Sequence, residues 1–125
     1  MAGTRTGEVV VEPILGSVPM PPIIVAEGRD VQLFPSVERA ENALEAVDVL
    51  NGIYEAFDVN ARPLTLRVVG ARIKCVRVEL RPEASPQPAY VLNLLRQYVA
   101  HQGQGQMSDA SIEDLAKFIM ASEHR

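Results

Sequence analysis

The side chains from which a nucleophilic site could be assembled are few: one cysteine, Cys75, and two histidines, His101 and His124. Such a site needs a nucleophile, a base and an orienting group that converge. His101 stands at the mouth of a Gly/Gln-rich stretch and His124 is the penultimate residue, so a Cys75–His101 pair would have to form across the fold. Cys75 reads more simply as a small core residue, and Ser36 as a helix cap. Cysteines and histidines do not cluster at metal-ligand spacing, and no acidic calcium-loop pattern occurs. Gly103-Gln104-Gly105 neither follows a strand nor carries the lysine of a phosphate loop. No catalytic, cofactor-binding or metal-ligating residue is therefore assigned, and no cofactor is expected.

The carboxylates are more informative. Residues 36–58 carry six acids (Glu38, Glu41, Glu45, Asp48, Glu55, Asp58) against one base, Arg39, a net charge of −5. Residues 62–81 carry six bases (Arg62, Arg67, Arg72, Lys74, Arg77, Arg81) against Glu79, a net charge of +5. Two readings follow. The charges neutralise one another across adjacent strands, for instance Glu55 or Asp58 facing Arg67. Alternatively they stay apart and present a dipolar surface to a charged partner. Nucleic acid is disfavoured, because the basic segment has no aromatic side chain on which a base could stack.

Composition sets the frame for these elements. The 125-residue chain is 47% hydrophobic and 22% charged, with a net charge of −4. One domain with an aliphatic core is expected, since aromatics are only 5% and tryptophan is absent. A lone cysteine forms no internal disulfide, and no apolar run is long enough to span a membrane. A cytoplasmic protein is the default expectation.

Residues 1–20 read as an N-terminal arm, either an edge strand at Glu8–Glu12 or a tail that orders against a partner. Ile23–Ala26 and Val31–Phe34 flank Gly28 as a hairpin. Ser36 caps a helix whose stripe is Val37, Ala40, Leu44 and Val47, ending near residues 46–48; Glu38, Glu41 and Glu45 fall on its solvent side. Asn51-Gly52 turns into a strand over 53–58, followed by strands at 64–69 and 71–80. Alternation in the last strand is inconsistent around Cys75: either both faces are covered or a bulge resets the register. A proline-rich connector (82–88) leads to two helices within 89–123. Ser108 or Asp109 is expected to cap the second, and Ser111 and Asp114 lie at capping-box spacing. The whole reads β-β-α-β-β-β-α-α, an α+β fold with one mainly antiparallel sheet of about five strands and helices on one face.

The hairpin segments Ile23–Val25 and Asp30–Phe34, the stretch Ser36–Glu45, with the pattern S-V-E-x-A-E-x-x-L-E, and the stretch Asp48–Asp58, with N-G-x-Y-E-A-x-D from Asn51, resemble a group of small bacterial α+β proteins. Some of that group are immunity proteins, which bind and silence a toxin domain encoded beside them. The resemblance implies a protein partner and transfers no catalytic position. The leading expectation is a non-enzymatic protein-binding domain with Glu38, Glu41, Glu45, Glu55 and Asp58 as contacts. The alternative is a small-ligand or enzymatic pocket between the sheet and the last two helices, lined by Tyr54, Cys75, Tyr90 and Tyr98. A homodimer through the arm or an edge strand is a third.

Overall fold

The unbroken apolar run Ile23-Ile24-Val25-Ala26 forms the strand to which everything else attaches. In the computed structural model, which describes residues 18–102 and 109–123, β1 (Ile23–Glu27) lies between two antiparallel neighbours, β2 (Asp30–Phe34) and β3 (Glu55–Phe57). Gly28 makes the β1–β2 turn at a φ of +62°, a conformation that glycine adopts without a Cβ clash. All four apolar residues of β1 are buried, so both faces of the sheet are covered. The expectations for residues 1–17, 103–108 and 124, including all but the last three residues of the arm and a cap at Ser108, lie outside the described residues.

Ser36 caps α1 (Val37–Ala43), its Oγ accepting from the Arg39 N–H at 3.1 Å. The helix is shorter than its apolar stripe suggests. Leu44 turns extended at a ψ of 140° and a separate turn, α2 (Ala46–Leu50), follows. Neither glycine nor proline marks this break. Leu44 stays buried, but Val47, expected on the same stripe, is 58% exposed.

Strands β4 (Leu64–Val69) and β5 (Cys75–Leu80) form a hairpin with Val69 opposite Cys75. The inconsistency around Cys75 is resolved by neither a bulge nor double coverage. Residues 70–74 are a loop, Ile73 is 79% exposed, and alternation is clean once the strand begins at Cys75, with Val76 and Val78 buried. Cys75 is exposed on the other face rather than packed in the core. Gly70 holds the loop at a φ of +104°, and a Cβ there would fall 2.1 Å from the Ile73 carbonyl oxygen. Gly70→Ala is expected to lower stability by more than about 1 kcal/mol, read as a shift of the denaturant midpoint.

The chain closes with α3 (Pro88–His101) and α4 (Ile112–Glu123). Proline at the start of α3 forfeits no helical hydrogen bond. The cap of α4 is Ser111, two residues beyond Asp109. The Asp114 N–H donates to Ser111 Oγ at 3.1 Å and the Ser111 N–H to Asp114 Oδ2 at 3.3 Å, so the shorter acid still closes the box.

The fold is thus α+β with five antiparallel strands in the expected order. Two features differ from a single sheet with helices on one face. The strands divide into a three-stranded sheet, β2-β1-β3, and the β4–β5 hairpin, joined by one bridge between Phe57 and Pro63. Helices also cover both faces, because successive strand residues point to opposite sides. Ile24, Val31, Leu33 and Phe57 pack with Val91, Leu95 and Leu115 of α3 and α4. Ile23, Val25 and Ala56 pack with Ala40 of α1, with Leu44 and with the inward side chains of the hairpin.

Candidate binding surface

The short helix α2 has a single inward side. Ala46 and Val49 pack against the second apolar cluster, which leaves Val47 and Leu50, three residues apart, on the other side. Their exposures are 58% and 69%, and Ile53 beyond the turn is 37% exposed. Three large apolar side chains in seven residues are thereby presented to solvent at one corner of the molecule.

Carboxylates surround the same corner. The Tyr54 hydroxyl donates to Asp48 Oδ2 at 3.3 Å. Partial burial raises the Tyr54 phenol above its ordinary value, and the negative charges of Asp48, Glu27 and Glu45 raise it further. Tyr90 is also raised, first by its hydrogen bond to Glu55. Both phenols are held neutral by the fold. Their contribution to stability is complete below the free phenol value of about 10 and is lost as pH rises through the higher folded values. Alkaline difference spectroscopy is expected to show late-ionising tyrosine, reduced in Tyr54→Phe and in Tyr90→Phe.

The expected contact carboxylates are not equivalent. Glu38 and Glu45 are exposed as anticipated. Glu41 instead docks on the free edge of β5, accepting the Val78 N–H at 2.9 Å and approaching Arg77 Nη1 at 3.7 Å. Glu55 accepts the Tyr90 hydroxyl at 2.6 Å, and the Tyr90 ring leans on Phe57 at a centroid distance of 5.8 Å. Asp58, expected to face solvent, is 0% exposed. Its carboxylate accepts the N–H groups of Met20, Asn60 and Arg62, each at 3.0 Å, and the Arg62 Nε–H at 2.8 Å. It ties the chain before β1 to the loop between β3 and β4, which removes it from any contact surface.

The bases of residues 62–81 are partly neutralised by acids of 36–58, Arg62 by Asp58 and Arg77 by Glu41, but neither Glu55 nor Asp58 is the partner of Arg67. Arg67 forks onto Glu79, with Nη2 at 2.7 Å from Oε2 and Nε at 3.2 Å from Oε1. These hydrogen bonds hold the Glu79 carboxyl below the usual carboxylate range. The pair is open to solvent, so it contributes little to stability.

The four residues expected to line a pocket do not converge on one. Tyr54 and Tyr98 border a shallow depression of about 300 Å³ with Glu27, Asp30 and Gln32. Cys75 borders a different one, beside Glu41, Asn42 and Lys74, while Tyr90 is engaged by Glu55 and Phe57. Between the three-stranded sheet and α3–α4 lies a cluster of buried apolar side chains, among them Ile24, Leu33, Phe57, Val91, Leu95 and Leu115. Among the described residues no three His, Cys, Asp or Glu side chains are grouped to hold a metal ion, and no helix is long and apolar enough to cross a membrane.

No protein-family model, curated protein or solved structure matches the chain. The corner at residues 45–54 therefore rests on its own geometry. Its apolar members, Val47, Leu50 and Ile53, were missed as site residues because Val47 continues the α1 stripe by spacing. The break at Leu44 rotates it out of the core, and no residue type announces that break.

Proposed function

We propose that the chain is a non-enzymatic protein-binding domain whose contact surface is the corner formed by α2 and the turn into β3. The observation that carries this reading is the exposure of Val47, Leu50 and Ile53 beside Glu45 and Asp48. Clustered exposed apolar side chains with a polar rim are the usual composition of a protein contact. The rim here is acidic, which selects a partner with a basic rim around an apolar centre. The resemblance to immunity proteins fits this chemistry and points to the product of an adjacent gene as that partner.

Leu50→Glu and Val47→Glu are the sharpest tests, because both side chains lie outside the packed clusters. Each variant is expected to melt within a degree or two of the parent and to bind the adjacent gene product at least tenfold more weakly by calorimetry. Undiminished binding by both would remove the corner from the contact.

A further inference from the structure

The β4–β5 hairpin ends in a second exposed apolar side chain set among charges, and their sign is opposite. Ile73 is 79% exposed and lies between Arg72 and Lys74, both exposed. Behind them Arg67 and Arg77 face one another across the strands, an arrangement that repulsion disfavours. Each is drawn aside by a carboxylate, Glu79 and Glu41 respectively. Among the described residues no carboxylate pairs with Arg72 or Lys74. The tip is also held in shape: Gly70 admits no side chain, and Lys74 Nζ donates to the Gly70 carbonyl at 3.3 Å.

The molecule thus has an acidic corner around Val47 and Leu50 and a basic tip around Ile73. Both belong to the layer in which α1 and α2 pack on the hairpin. We infer that the hairpin tip docks on the acidic corner of a second copy of this chain. In that pairing Ile73 lies against Val47 and Leu50, and Arg72 and Lys74 meet Glu45 and Asp48. A two-fold axis lets each copy give its tip and receive its partner's, closing the assembly at two. The contact is small, so the dimer is weak and concentration-dependent, and salt dissociates it because its charges lie at the surface. This inference rests on the corner being a binding face, and it adds that the chain itself supplies one occupant.

Sedimentation velocity at low and high salt tests it with four samples: parent, Arg72→Glu/Lys74→Glu, Glu45→Lys/Asp48→Lys, and an equimolar mixture of the two variants. The parent is expected to sediment faster as loading rises from tens to hundreds of micromolar, an effect removed by half-molar salt. Each variant alone is expected to remain monomeric, and the mixture to regain association because its charges are complementary again. That regain excludes misfolding as the cause of the loss. A parent that stays monomeric, a tip variant that associates as the parent does, or a mixture that fails to regain association overturns the inference. So does Ile73-dependent sedimentation with phosphatidylserine vesicles by a monomeric parent, which would give the tip to a lipid surface. None of these outcomes bears on binding of a different protein at the corner, which the Leu50→Glu and Val47→Glu titrations test separately.

Discussion

Asp58→Ala is expected to destabilise the chain by about 3–5 kcal/mol, the range found when one partner of a buried charge pair is removed. The carboxylate is fully buried and receives three backbone N–H groups as well as the Arg62 guanidinium. Alanine leaves those donors without their acceptor and Arg62 with its cation largely enclosed, at 19% side-chain exposure. The loop also carries Ala61 at a φ of +65°, a left-handed conformation that is strained for a residue with a Cβ. The Ala61 N–H to Asp58 carbonyl bond at 2.9 Å and the Gln87 N–H to Ala61 carbonyl bond at 2.8 Å hold it there. Asp58→Asn keeps an acceptor but removes the charge, and is expected to fall between parent and alanine variant in urea titrations. A loss below about 1 kcal/mol for Asp58→Ala, the size expected of an ordinary surface change, would contradict the assigned role.

Leu95→Ala is expected to cost about 2–5 kcal/mol, the range for truncating a fully enclosed leucine. Leu95 is 0% exposed in the middle of α3, among Ile24, Phe57, Leu115 and Ala116. This substitution separates a packed core from a ligand pocket between the sheet and α3–α4. Around a pre-existing pocket the lost methyls would leave little new void, and the cost would shrink. The midpoint is expected to fall while the slope of unfolding free energy against denaturant stays constant.

Much of this architecture is legible in the sequence, for identifiable reasons. Tyr90, Val91, Leu94, Leu95, Tyr98 and Val99, and Ile112, Leu115, Ala116, Ile119 and Met120, recur at helical spacing. The structure buries Val91, Leu95, Val99, Leu115, Ala116 and Ile119, half-buries Leu94, Tyr98, Ile112 and Met120, and leaves Tyr90 exposed. Gly28 and Ser36 carry local signals whose geometry needs no long-range information. Coverage of both faces was also encoded, in the four-residue apolar run at β1, since a strand buried on one side alternates. The division of α1 from α2 was not legible. It arises where Leu44 is drawn into the second cluster, a tertiary effect that no local residue type signals.

The candidate surface suffered twice from the same cause. Charge alone singled out Asp58 and Glu41, yet a carboxylate serves a surface only if the fold leaves it free. Asp58 organises a loop, and Glu41 covers a strand edge at Val78. Burial alone concealed Val47, whose spacing matched a core position. The surface that remains combines the acids left in solvent with the apolar side chains that the broken helix turns outward.

Titration of the isotope-labelled chain with the purified product of the adjacent gene, followed by amide chemical shifts, tests that surface most directly. The account predicts saturable shifts concentrated at residues 45–54, with β1, α3 and α4 unmoved. Shifts concentrated in α3 and α4, or none at any accessible concentration of that partner, would contradict it.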